Sequence, residues 1–118
     1  MFSSKFEGID IRGYYLGLDK VKQDRHRQGS LSYIEGRSIL FADPIMLIRL
    51  YSGRGTPIII NGVWNNKERF EHTSNIGIWK SYDGKISVQT NRGIFHYSRE
   101  NGVHIVPARP ENYISKEN

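Results

Sequence analysis

The stretch Ile94-Phe95-His96-Tyr97-Ser98-Arg99-Glu100-Asn101-Gly102-Val103-His104-Ile105-Val106-Pro107 reads as a β-hairpin, and its pairing decides both the sheet and the site. Side chains alternate along a strand, so Phe95 and Tyr97 take one face while His96 and Ser98 take the other. Asn101-Gly102 is a turn signal, and Pro107 ends the second strand because it lacks an N–H for the ladder. A two-residue turn pairs Glu100 with Val103 and sends His104 to the Tyr97 face, opposite to His96. A three-residue loop of Glu100-Asn101-Gly102, with Gly102 as a left-handed bulge, pairs Arg99 with Val103 and places His96, Ser98 and His104 on one face. The sequence permits both.

Upstream of this hairpin the strand signals continue. Ile76 to Tyr82 alternates Ile76, Ile78 and Lys80 against Gly77 and Trp79, and Asp83-Gly84 turns the chain into Lys85 to Thr90. Asn91-Arg92-Gly93 then leads into Ile94. Earlier still, Ile58-Ile59-Ile60 is a short buried run closed by Asn61-Gly62, and Lys67 to His72 reads as a polar edge strand whose charges discourage further pairing. Before the strands lies a clear helix over residues 44 to 52. Asp43 is its N-cap, Pro44 suits its first turn, Ile45, Met46, Leu47, Ile48, Leu50 and Tyr51 supply its apolar surface, and Gly53 stops it. The expectation is an α+β fold, an N-terminal helical part followed by an antiparallel meander of about four strands.

The chain has 118 residues, enough for one modest core, and its seven tyrosines, five phenylalanines and two tryptophans argue for a folded protein. Residues 1–19 read as an N-terminal arm interrupted by Gly8, Gly13 and Gly17, residues 20–110 as the domain, and residues 111–118 as a polar tail. Seventeen Lys and Arg against twelve Asp and Glu give a net charge of +5, which favours a polyanionic partner. Without cysteine there is no disulfide framework and no thiolate zinc site. Apolar runs such as Ile45 to Ile48 are too short to span a bilayer, and the N-terminus lacks the apolar core of a secretory signal. No membrane association and no cofactor are expected.

Three of the four histidines fall in two runs, His26 in Lys22-Gln23-Asp24-Arg25-His26 and the other two in the hairpin. Metal-free cleavage of RNA needs a base for the ribose 2'-OH, an acid for the leaving 5'-oxygen, and cations around the developing phosphorane charge. Lys22, His26, His96 and His104 are the catalytic candidates. Arg25, Arg37 and Arg54, with the hydroxyls of Ser38, Tyr97 and Ser98, are the candidates for holding phosphate or RNA. For each residue a plainer role competes. Strand histidines often pack and hydrogen-bond within the fold, basic runs are often only solvated surface, His72 beside Glu71 reads as structural, and Trp79 reads as core. No His-x-x-x-His, EF-hand, Gly-x-Ser-x-Gly or phosphate-loop pattern occurs, so no metal site is expected.

With these residues in view the chain resembles the bacterial polymorphic-toxin family known as toxin 50. The resemblance rests on Lys22-Gln23-x-x-His26 with Gly29 and Tyr33, Arg37-Ser38-x-Leu40, Asp43-Pro44 opening a helix that ends in Tyr51-Ser52-Gly53-x-Gly55, Gly93-Ile94-x-His96-Tyr97-Ser98, and His104-Ile105-Val106-Pro107-Ala108-Arg109-Pro110. It implies a ribonuclease toxin of the barnase, EndoU, colicin E5 and RelE group, with a helical N-terminal part and a four-strand sheet bearing the active site. It also implies RNA as substrate, with tRNA among the candidates, a 2',3'-cyclic phosphate product, and a cognate immunity protein or antitoxin as partner. Such domains act in the bacterial cytoplasm after delivery within a larger toxin or a phage particle. Arg27 departs from the pattern, standing where an apolar residue is expected. The competing reading is a non-catalytic phage or mobile-element module that binds nucleic acid or a protein.

Overall fold

A computed structural model describes residues 13–111, so most of the expected arm and nearly all of the polar tail lie outside the described residues. The elements run α1 (Lys20–Asp24), β1 (Ile39–Leu40), α2 (Pro44–Tyr51), β2 (Thr56–Ile60), β3 (Val63–Glu71), β4 (Gly77–Lys80), β5 (Ser87–Thr90), β6 (Arg92–Ser98) and β7 (Gly102–Pro107). The strands form two antiparallel sheets, a larger one in the order β2-β3-β6-β7 and a smaller one in the order β1-β4-β5. The fold therefore combines helices and antiparallel sheets, but the expected single meander is corrected to two sheets. Among the described residues, 13–55 are mostly loop around two short helices and the two-residue β1, which corrects the expected N-terminal helical part.

The helix α2 follows its sequence signals. The Asp43 carboxylate accepts the Ile45 N–H at 2.9 Å, which satisfies one of the orphan donors of the first turn, and Gly53 takes φ +86° just past the end. The β2–β3 hairpin uses Asn61 and Gly62 at φ +53° and +77°, the double left-handed geometry of a two-residue turn between Ile60 and Val63.

Two expected strand pairings are overturned, and so is the burial of Ile58-Ile59-Ile60, where Ile59 and Ile60 are half exposed. β3 is not an edge, for it pairs with β2 on one side and β6 on the other. Its charged residues alternate with Glu68 and Phe70, which are buried, so its polarity marks one exposed sheet face rather than an exposed edge. Likewise β5 does not turn back to pair with β6. At Asn91 the chain leaves the smaller sheet, and β6 inserts between β3 and β7. Gly93 permits this close approach, because a Cβ there would stand 2.7 Å from the Phe70 ring.

One face of the larger sheet carries the core. Phe70, Phe95, Tyr97, Val103 and Ile105 pack there against Leu47 of α2, Leu40 of β1 and Ile76. Phe70 and Phe95 stack with centroids 4.4 Å apart, and burial of a ring such as Phe95 stabilises the fold by about 2–3 kcal/mol. The other face of the same sheet carries the site.

Candidate active site

In β6 and β7 the hairpin has a three-residue loop, Arg99-Glu100-Asn101, and pairs Ser98 with Gly102, Tyr97 with Val103 and His96 with His104. The loop begins one residue before the three-residue loop read from the sequence and two before the two-residue turn. Its parity is that of the three-residue reading, so both histidines share the outer face. Gly102 fixes this register. Its φ is +103°, and a Cβ there would meet the Gly17 carbonyl at 2.3 Å, so only glycine fits.

The third histidine arrives through Gln23. β7 is the outer strand of its sheet, and an exposed strand edge leaves backbone groups unpaired. Gly17 and Asp19 pair with Val103, and the fully buried Gln23 amide then takes both backbone groups of Ile105, donating to its carbonyl at 3.0 Å and accepting its N–H at 2.7 Å. Asp19 caps α1 by accepting the Lys22 N–H. The helix is thus pinned along β7, and His26, three residues beyond Gln23, falls beside His104 with ring centroids 6.0 Å apart and planes 21° from parallel. His104 and His96 are 4.6 Å apart. The three rings form a continuous row.

Their tautomers and charges follow from the surroundings. His26 Nδ1 donates to the Ser38 carbonyl at 3.0 Å, which leaves Nε2 with a free lone pair. Burial holds its pKa below the ordinary histidine value, and Arg37 and Arg25 add to the effect. Burial and then the neighbouring His104 and Lys67 push His96 down to about 3. His104 is lowered to about 4 by burial and by His26, against which the Asp19 carboxylate acts. At neutral pH the row is uncharged and ringed by cations.

A cleft of about 620 Å³ surrounds this row. Of the residues expected in a site, it gathers Lys22, Arg25, His26, Arg37, Ser38, His96 and His104. Three others lie elsewhere. Tyr97 points into the core, where its hydroxyl donates to Glu68 and pairs with Ser52 Oγ at 2.7 Å. Arg54 lines a separate hollow with Arg69 and Arg92, because it follows the α2 stop rather than α1. Ser98 is on the His96 face but at the hairpin end, where its Oγ accepts the Asn101 N–H. His72 pairs with Tyr51 at 2.6 Å, away from the cleft.

Lys80, Ser81 and Tyr82 also line the cleft and were missed from sequence. The signal was present, since Lys80 continues the phase of Ile76 and Ile78, and a cation in register with an aliphatic face needs a reason. Here the Lys80 N–H binds Ser38 Oγ at 2.9 Å, joining this wall to the one that orients His26.

A family model described as bacterial toxin 50 matches residues 18–107. The chain belongs to the bacterial toxin 50 family. The matched segment of this toxin 50 domain runs from Leu18, just before α1, to Pro107 at the end of β7, and so contains all three histidines of the row and every wall of the cleft. No curated protein matches the chain. At the family level its function is that of a toxin. No helix among the described residues is long and apolar enough to cross a membrane, and none of their His, Asp and Glu side chains cluster as a metal site.

Proposed function

We propose that this toxin 50 domain is a metal-independent endoribonuclease that cleaves RNA by in-line attack of the ribose 2'-OH. The observation that carries this reading is the convergence of His26, His96 and His104, brought from opposite ends of the chain into one cleft with Lys22, Arg37 and Lys80. His26 is the general base, because its Nδ1 proton is committed to Ser38 and Nε2 is free to accept the 2'-OH proton. The bond from O2' to phosphorus forms as the bond from phosphorus to O5' breaks. His104 protonates the departing O5', with Asp19 favouring its charged form. The cations offset the charge that builds on the non-bridging oxygens, and the products are a 2',3'-cyclic phosphate and a 5'-hydroxyl.

A bound phosphodiester adds a negative charge to the cleft, which raises the histidine pKa values from their depressed free-protein positions. The domain works in the cytoplasm of a target bacterium, and its producer requires an immunity protein that covers the cleft. Incubation with total RNA in EDTA tests the reading. Cleavage that leaves cyclic phosphate ends and falls by about 10²–10⁴ in His26→Ala and His104→Ala is the expected result. Intact RNA would remove it. The depression of His96 to about 3 favours, as a second reading, a nucleic-acid-binding module without chemistry, for which binding persists and no product forms.

A further inference from the structure

The histidine row extends beyond the cleft. Lys67 of β3 lies directly opposite His96, which lies opposite His104, so these side chains cross three strands on the outer sheet face. The next row on that face is Arg69, Ile94 and Val106, and the following one is the ion pair of Glu71 and Arg92 at 2.5 Å. Along β3 the alternation is strict from Lys67 to Phe70, with Glu68 and Phe70 sealed in the core and Lys67 and Arg69 partly exposed. Among the described residues neither Lys67 nor Arg69 forms an ion pair, whereas Arg92 is neutralised by Glu71 and Glu111. Neighbouring strands stand about 4.8 Å apart, and alternate residues of one strand about 6.7 Å apart. The two cations therefore form a step leading away from the histidines, and past Arg69 the surface opens into the second hollow, of about 410 Å³.

We propose that Lys67 and Arg69 form a second phosphate subsite, so that the ligand of the histidine cleft is a single polynucleotide strand lying across β6 and β3 rather than an isolated nucleotide. The proposal rests on the phosphodiester reading of the cleft and specifies its substrate. A strip one side chain wide, continuous with a cationic cleft, fits a phosphate backbone. A protein partner would centre on apolar or aromatic anchors, and these rows offer only the partly buried Ile94 and Val106.

Fluorescence anisotropy with labelled, uncleavable 2'-O-methyl RNA of two and of eight nucleotides tests the subsite in the full chain. The wild type is expected to hold the eight-nucleotide strand more tightly. In Lys67→Gln/Arg69→Gln, which keeps the side-chain stems, that affinity falls about tenfold while the slope of log affinity against log salt flattens by about 1.4, or 0.7 for each lost phosphate contact. The loss on the dinucleotide is at least threefold smaller. Equal losses at both lengths would overturn the subsite, since Lys67 would then act only through His96. An unchanged slope would also overturn it and leave the strip to an acidic protein. Because the probe cannot be cleaved, a length-dependent loss in a protein that cuts no RNA would retain the subsite and remove the ribonuclease reading.

Discussion

His96 and His104 face each other across β6 and β7 with ring centroids 4.6 Å apart, and burial keeps both neutral at physiological pH. Two imidazoles at this distance repel once both are protonated, and Lys22, Arg25 and Lys67 sharpen the repulsion. A histidine whose folded pKa lies below its unfolded value contributes stability above the unfolded value and loses it as the pH falls towards the folded one. For His96 the window runs from about 6.5 to about 3. Denaturant titrations are expected to show a loss of about 2 kcal/mol from this residue between pH 7 and pH 5. His96→Asn flattens that acid limb. An unchanged limb in the variant would show that the depression is not felt in solution.

The proposed RNA cleavage carries its own pH signature. The profile of kcat/KM reports the free protein, in which the acid must be protonated and the base free. With His104 lowered to about 4 and His26 below its ordinary value, kcat/KM is expected to peak on the acid side of pH 6 and to decline above it. The kcat profile, measured on bound substrate, shifts upward because the phosphodiester stabilises the charged acid. Asp19→Asn moves the kcat/KM optimum further towards acid. Steady-state rates on a fluorogenic oligoribonucleotide from pH 4 to pH 8 measure all three, and an optimum near pH 8 would remove His104 as the acid.

Local chemistry was legible from sequence where a residue's role is fixed by its immediate neighbours. Asp43, Pro44 and Gly53 bound α2, Asn61-Gly62 makes a tight hairpin, and the alternation about His96 separates core from exposed face. Long-range partition was not legible. Nothing near Asn91 states that β6 pairs with β3 rather than β5, since that choice depends on Gly93 fitting against Phe70 and Ile76. Tyr97 stands next to His96 in sequence, and the period of two sends it to the opposite side of the sheet. Gln23 gave no sign of its task, because a glutamine that replaces a strand's backbone partners looks like any other until the edge it covers is known.

That edge contact makes Gln23 sensitive to substitution although it lies outside the cleft. Gln23→Ala leaves the buried N–H and carbonyl of Ile105 without partners, each at a penalty of about 1–3 kcal/mol. The expected destabilisation is about 2–4 kcal/mol in urea titrations. Because α1 loses its anchor, the proposed RNA cleavage, measured under folding conditions, is expected to fall as well. Gln23→Glu restores the acceptor for Ile105 N–H but opposes a carboxylate to the Ile105 carbonyl, so it rescues neither quantity fully. Wild-type stability in Gln23→Ala would show that α1 docks by other contacts.

Tyr97 allows stability and activity to be separated. Its hydroxyl donates to the fully buried Glu68, whose carboxylate also accepts the Gly53 and Gly55 N–H groups at 3.1 and 2.5 Å and so holds the turn between α2 and β2. Burial raises the Glu68 pKa, and the Tyr97 hydroxyl is the largest effect opposing that rise. A carboxyl group raised in the folded state contributes stability below its unfolded pKa of about 4.5 and loses it as the pH climbs through the folded value. Tyr97→Phe removes the opposing hydrogen bond, so it is expected to cost about 1.5–3 kcal/mol at pH 7 and distinctly less at pH 4.5, with wild type and variant compared at each pH. Since the ring faces the core and not the cleft, the activity of the folded fraction stays within about twofold of wild type, a change of less than half a kcal/mol. A large fall in activity with unchanged stability would return Tyr97 to the substrate side of the sheet and contradict its place in the core.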